Sequence, residues 1–355
     1  GSSIGDFYRA LRDCKYSIVF IANSLSEDNG TVIFAELVRK KLIKKSTCFF
    51  AVTDDTFGPT ILAISEACPD KILTKPFSLD YIAKRTVGVY TRKASVKRML
   101  HCYDKKDVKG LETSYQDICL ELPQYKEYAT HILIDGHMEF GSKKRASGLI
   151  EAFTKGERNA KFETYLAQIM VSDKKLSEAE DALRRCLSYF QSYLPASDLL
   201  ADVLWSLGKK EDALSLLEQL GVSAQSNSTR LRTMSDLAQE LGNEQKYKTY
   251  LTKVIDRTVG SGMANEDDFY RLADLFLEQK RTDEALAIAS KIKKVSGKNS
   301  EKDVPDLVIL AKSFFIAENQ EKAIELVESI IGKNDISLGD LSAGTLLAVA
   351  ELCFE

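Results

Sequence analysis

The amino-acid sequence predicts a multidomain chain, an α/β segment followed by an all-α solenoid of helical hairpins. Two observations carry that expectation. Over roughly the first ninety residues, short β-rich runs alternate with helical patterns, the rhythm of parallel strands joined by crossover helices. From about Tyr128 to Asn334 a pattern returns six times, at intervals of about 34 residues, the length that one helical hairpin fills.

In chain order, a helix over Asp6 to Cys14 leads into a strand from Ser17 to Ala22, whose Ile-Val-Phe-Ile run is β-branched and aromatic. A helix over Val32 to Lys44, a strand from Thr47 to Thr53, a helix over Thr60 to Ala67 and a strand from Lys71 to Thr74 continue the alternation. Residues 1–92 therefore form the α/β segment, and 93–126 a helical connector. One long basic helix is expected from Leu79 to about Lys109; it carries Lys84, Arg85, Arg92, Lys93, Lys97 and Arg98, with Tyr90, Val96, Met99, Leu100 and Tyr103 at helical spacing. Such a helix reads as an amphipathic connector with a solvated charged face, nucleic-acid contact being the rarer use. A helix over Leu111 to Leu122 leads into the repeats of residues 127–337. The last segment, 338–355, reads as one more helix, apolar enough to cap the solenoid, to continue it or to pair with another subunit as a homodimer.

One small residue sets the register of the repeats. A polar turn ends at Ala146, Ala179, Ala213, Tyr247, Ala285 and Ala323; twelve residues earlier stand Ile134, Ala167, Ala201, Ser235, Ala273 and Ala311. Seven residues after the turn come Phe153, Cys186, Leu220, Val254, Ile292 and Ile330. Small residues at two fixed offsets let paired helices approach closely, while the larger residue fills the seam to the next hairpin. This register resembles the tetratricopeptide repeat, whose two helices cross around small residues at its positions 8 and 20. The repeats then begin near residues 127, 160, 194, 228, 266 and 304, with longer loops around Gly260 and Gly297.

Three segments of the α/β part resemble the receiver domain of two-component response regulators, a flavodoxin-like fold. Phe49-Phe-Ala-Val-Thr53 matches the fourth strand with its closing threonine, and Lys71 to Phe77 matches the fifth strand with the signature Lys75-Pro76-Phe77. Tyr16 to Gly30 matches the third strand and the phosphoacceptor loop. The resemblance implies that Thr53 senses a phosphoryl group, that Lys75 contacts it and that the peptide after Lys75 is cis. It also places alanine, Ala22, at the phosphoacceptor position. Alanine has no nucleophilic oxygen, so no aspartyl phosphate forms there. The chain is expected to begin inside the fold, without the first strand, first helix and second strand that would supply the acidic pair for Mg2+; no cofactor is expected unless the natural chain supplies that pair. Loss of those strands would leave Ser17 to Ala22 as a sheet edge, to be buried by a second copy or a solenoid helix.

In tetratricopeptide repeats the first helix of each pair lines a groove. Position 9 here reads Asp135, Gln168, Asp202, Asp236, Asp274 and Lys312, and Tyr128, Trp205, Tyr270 and Phe315 stand at neighbouring groove positions. Four aspartates interleaved with aromatics suit a basic or amphipathic partner segment; an ordinary hydrated face is the alternative.

Catalysis finds little purchase. The three histidines, 101, 131 and 137, lack an accompanying ligand cluster, and no Gly-rich phosphate loop or nucleophile elbow occurs. A net charge of −3 gives no general drive toward nucleic acid or anionic membrane, and no apolar run nears the roughly 20 residues that span a bilayer. Seven cysteines without a C-x-x-C pair, and no secretory signal, point to a reducing, cytoplasmic setting. Three readings follow. The first is a non-enzymatic adaptor, phosphorylation-independent or inhibitory because of Ala22, whose receiver-like module docks on a histidine kinase or phosphotransfer protein while the groove binds a protein partner. The second is a conventional response regulator whose natural chain has aspartate at position 22, and the third a structural scaffold.

Overall fold

The computed structural model describes residues 16–22, 24–25, 28–29, 43–221, 227–259, 264–292, 309, 311–312 and 323–326. The helix expected over 6–14, that over 32–44 except its last two residues, most of the sixth repeat with Phe315, and the segment 338–355 lie outside the described residues; residues 43 and 44 are not helical. Two compact units divide the chain, residues 1–226 and 227–355.

The first unit opens with a three-stranded parallel sheet of β1 (Ile18–Ala22), β4 (Cys48–Thr53) and β5 (Lys71–Thr74), in the order β1-β4-β5. Two-residue strands β2 (Ser24–Leu25) and β3 (Asp28–Asn29) pair with each other. Ile18 faces Cys48 across the main sheet and Thr53 faces Thr74. Every residue of β4 is buried, as a strand covered on both faces must be. Alternate residues feed two cores: Phe49 and Ala51 join Val19, Ile21, Ile64 and Ala67 on one face, and Cys48, Phe50 and Val52 join Leu73 and Val89 on the other. Among the described residues β1 pairs only with β4, and its Phe20 stays half exposed while stacking on Phe50 at 4.8 Å.

Helix α1 (Gly58–Ser65) begins two residues before the expected Thr60, with Pro59 in its first turn, where a missing N–H costs nothing. The single basic helix expected over 79–109 is two helices: α2 (Leu79–Ser95) and α3 (Lys97–Asp104) break at Val96, whose buried side chain joins Met99, Leu100 and Leu111 in a core. Helix α4 (Val108–Glu121) follows, capped by Asp107. The charged face is not wholly solvated either. Lys93 is buried, its ammonium 2.6 Å from both the Asp70 carboxylate and the Thr47 carbonyl. Arg92 lies over the Tyr128 ring at 4.6 Å.

Helical hairpins follow. In the first unit they are α5 (Lys126–Glu139) with α6 (Lys143–Thr154), α7 (Ala160–Ser172) with α8 (Leu176–Tyr189), and α9 (Leu194–Ser206) with α10 (Lys210–Gln219). In the second they are α11 (Ser228–Glu240) with α12 (Glu244–Thr258), and α13 (Glu266–Glu278) with α14 (Thr282–Ile292). Ser142, Asn159, Asn227, Asn243 and Asn265 accept backbone N–H bonds at helix starts. The register residues are all buried at both offsets, from Ile134 and Ala146 in the first hairpin to Ala273 and Ala285 in the fifth, so the helices cross where the small side chains allow it. Tyr247, the one large residue in the series, still fits; it is 6% exposed and accepts a 3.2 Å hydrogen bond from Arg271.

Four of the five described first helices, α5 being the exception, are followed by a residue with positive φ: Lys174 (62°), Gly208 (78°), Gly242 (66°) and Lys280 (58°). The following N–H reaches back into the helix, as Lys209 N does to the Leu204 carbonyl at 2.9 Å. Glycine adopts this conformation without the Cβ penalty that Lys174 and Lys280 bear.

Candidate partner-binding site

The carboxyl edge of the sheet gathers the three receiver-type positions. Ala22 ends β1 opposite Val52, and Thr53 ends β4, buried, with its hydroxyl accepting the Asp55 N–H at 3.1 Å. Lys75 is exposed; its backbone N–H donates to the Thr53 carbonyl at 2.8 Å and its peptide bond to Pro76 is cis. Asp55 is committed to its own turn, accepting from the Phe57 N–H and the Thr60 hydroxyl, and these bonds hold its carboxyl below the usual range. Among the described residues no group of three or more His, Cys, Asp or Glu side chains could hold a metal ion.

The opposite, amino edge of the sheet packs on the first repeat. The loop before β4 carries Lys45, whose ammonium donates to Asp135 at 3.2 Å. Lys161 lies 2.6 Å from the other oxygen of that carboxylate, and the Tyr165 hydroxyl donates to it at 3.1 Å. Burial pushes the Asp135 carboxyl up, but the two lysines outweigh it and hold it below the usual carboxylate range. Asp104, at the end of α3, accepts the Lys45 and Ser46 N–H groups and the Ser46 hydroxyl at 2.8, 3.3 and 2.5 Å. Between the sheet and α5 lies a cavity of about 940 Å3, lined by Cys68, Asp70, Arg92, Tyr125, Tyr128 and His131 among others. His131 packs edge-on to Phe153 and against Phe162, and His137 is buried with Glu112 at 2.9 Å. Both histidines serve the core of the first hairpin.

The predicted row of groove aspartates therefore divides. Asp135 is buried and doubly paired, which corrects its reading as an open partner contact. In the second unit Asp236 meets Arg271 at 2.6 Å, and Asp274 meets Lys312 at 3.1 Å. Tyr270 is 5% exposed and belongs to the core rather than to an open face. Tyr128 is partly buried under Arg92, and its hydroxyl is pushed up to about 12, by burial first and then by Asp70. Asp202 differs from the other three. It is exposed on α9 and no cation is paired with it among the described residues; partial desolvation and the neighbouring Asp198 raise its pKa. Asp198, Asp202 and Trp205 stand at i, i+4 and i+7 of one helix, on one face, with Trp205 partly buried.

Sequence reasoning missed the cations. Each paired aspartate takes one from the next repeat: Lys161 for Asp135, Arg271 for Asp236 and Lys312 for Asp274. These stand at positions 2, 6 and 9 of their repeats, and the fourth repeat has Thr229, Thr233 and Asp236 there. A search for lysine or arginine at those offsets would have singled out Asp202. Lys45, distant in sequence from Asp135, gave no such signal.

Residues 269–295, spanning most of α13 and all of α14, match the tetratricopeptide repeat family model. Among solved structures the chain is similar to PilF of Pseudomonas aeruginosa (TM-score 0.44, 14% identity, 63% of this chain and 97% of that one). It is also similar to a tetratricopeptide repeat protein from Parabacteroides merdae (0.42, 13%, 74% and 99%) and to the apo quorum sensor NprR from B. thuringiensis (0.43, 13%, 78% and 93%). No curated protein matches the chain. The matched hairpin is thus tetratricopeptide-like, and the other described hairpins bury residues at the same two offsets; a small parallel sheet compatible with a partial α/β domain precedes them. Among the described residues no helix is long and apolar enough to cross a membrane.

Proposed function

We propose that the chain is a non-enzymatic scaffold for protein–protein interaction, and that the α9 face bearing Asp198, Asp202 and Trp205 takes a basic or amphipathic segment of a partner protein. The observation that carries this reading is the contrast among the four position-9 aspartates. Three are neutralised within the chain, whereas Asp202 has no paired cation among the described residues, and burial together with the neighbouring Asp198 raises its pKa. A lysine or arginine from outside would relieve that repulsion, and the neighbouring indole offers an apolar anchor beside it. Capture of partners by the full chain tests the reading: Asp202→Lys should weaken binding about tenfold or more, the effect of roughly 1.4 kcal/mol. Retention of every partner at wild-type affinity would refute it.

A second reading concerns the α/β module. Its parallel strand order, the hydroxyl of Thr53 at the end of β4 and the exposed Lys75 just after β5 favour a receiver-like module that docks on a histidine kinase or phosphotransfer protein. Phe57, Leu79, Val87 and Tyr90 are all exposed around that module, as a docking surface would need. With Ala22 at the acceptor position, such docking would be independent of phosphorylation and would occupy a kinase without relieving it of phosphate. Acetyl phosphate should leave the full chain unlabelled; a phosphoryl group found on residues 16–78 would overturn this account.

A further inference from the structure

The first repeat carries the same position-9 carboxylate as the third, yet a side chain from the α/β module already sits on it. Two of the three donors to Asp135, Lys161 and Tyr165, belong to the adjacent repeat and would stay if the module left. The third, Lys45, comes from ninety residues earlier in the chain. Ile43 anchors the loop in the core of the sheet, whereas Lys45 and Ser46 meet the helices through polar contacts: their N–H groups and the Ser46 hydroxyl donate to Asp104, and the Lys45 ammonium lies 5.4 Å from the centre of the Tyr103 ring. Lys45 keeps 43% of its side chain exposed while Asp135 keeps 7%. A half-exposed lysine side chain whose ammonium meets a buried carboxylate makes a contact that another ammonium can replace like for like. An apolar seam would first have to be pulled into water.

We propose that the loop of residues 43–47 is an intramolecular occupant of the first-repeat end of the groove: Lys45 holds the place that a basic side chain of a partner segment would take. Entry of a partner there and docking of the α/β module then exclude each other, so occupancy of the repeats is coupled to the placement of the sheet. This rests on the reading that position-9 aspartates receive basic side chains; Asp202 is the same site without an internal lysine.

The test uses the full chain and a synthetic peptide of alternating lysine and leucine. Saturating peptide should speed hydrogen exchange at the Lys45 and Ser46 amides about tenfold by opening the loop. Lys45→Ala, with Lys45→Met as a second variant that keeps the apolar stem, should bind the peptide about fivefold more tightly, because the internal competitor is gone. Asp135→Asn added to either variant should abolish that gain. Peptide bound through Asp202 with unchanged exchange at 45 and 46, and equal affinity in the Lys45 variants, would overturn the proposal and leave the groove reading standing. Absence of binding in wild type and in every variant would overturn both. A Lys45 variant that unfolds is recognised by its Trp205 fluorescence, and the wild-type exchange measurement then decides alone.

Discussion

The buried contact between Lys93 and Asp70 offers the sharpest test of how the α/β module is held together. The two side chains are 9% and 13% exposed and 2.6 Å apart. At an effective dielectric of about 20, that separation corresponds to an attraction of roughly 6 kcal/mol, part of which the desolvation of both charges offsets. Lys93→Met keeps the apolar stem of the side chain but removes the ammonium from Asp70 and from the Thr47 carbonyl. Asp70 would then keep the Phe49 N–H, at 2.8 Å, to balance a buried charge. The expected loss is about 3–5 kcal/mol, the cost of breaking one side of a buried pair. Asp70→Asn added to Lys93→Met removes the orphan charge while retaining an acceptor for Phe49, and should return about 2 kcal/mol of that loss. Hydrogen exchange of the β4 amides, with urea unfolding as a second measure, reads the opening free energy. A Lys93→Met loss below about 1 kcal/mol, or a double variant as unstable as the single, would show that the pair does not hold α2 to the sheet.

Further outcomes are expected. Lys174→Gly and Lys280→Gly should each stabilise by about 0.5 kcal/mol, the relief of roughly 1–2 kcal/mol of left-handed strain less the 0.5–1 kcal/mol entropy cost of glycine; thermal unfolding checks this, and a loss of stability would refute the strain. Ala213→Leu should destabilise by about 1–3 kcal/mol, because the added side chain enters the closest approach between α9 and α10, and an unchanged urea midpoint would show that the crossing has room. Asp202, with its folded pKa raised, binds protons more readily in the folded state, so its penalty is absent below about pH 4 and grows as pH rises through the folded pKa. Asp202→Asn should therefore raise the thermal midpoint at pH 7 and leave it unchanged near pH 3. Among the cysteines, exposed Cys68 should react quickly with a thiol reagent at pH 8. Burial pushes Cys186 up to about 11, and this thiol should react only on unfolding, as peptide mass mapping would show.

The repeat part of the fold was legible because its signal is redundant. Small residues recur at two offsets and a polar turn lies between them, so helix starts at 160, 194, 228 and 266 coincide with the starts read from the register. The strands were legible from β-branched runs such as Ile18–Ala22. The break at Val96 was not, since a buried valine at helical spacing fits a continuous helix as well as a bent one, and tertiary packing against Leu111 made the choice. The candidate site was legible only as a row of positions. Whether an aspartate is open depends on a cation about 26–38 residues later, or ninety earlier for Lys45, and a one-repeat pattern cannot show that. Tyr270 failed for a related reason: a groove position and a seam position differ by one residue, about 100° of helix rotation.

The sheet meets the first repeat through its amino edge, so its carboxyl edge, with Asp54, Lys75 and Pro76 exposed, faces elsewhere. The length of β4, about 20 Å for six residues, separates the two ends. A single binding partner with two short epitopes joined by a tether could therefore hold the carboxyl edge and the α9 face together without either contact blocking the other. Two weak contacts of that kind, each at millimolar strength, would gain about a hundredfold or more in combined affinity from the tether alone. The chain would then act as a two-point clamp whose selectivity depends on the spacing between epitopes as much as on their sequence.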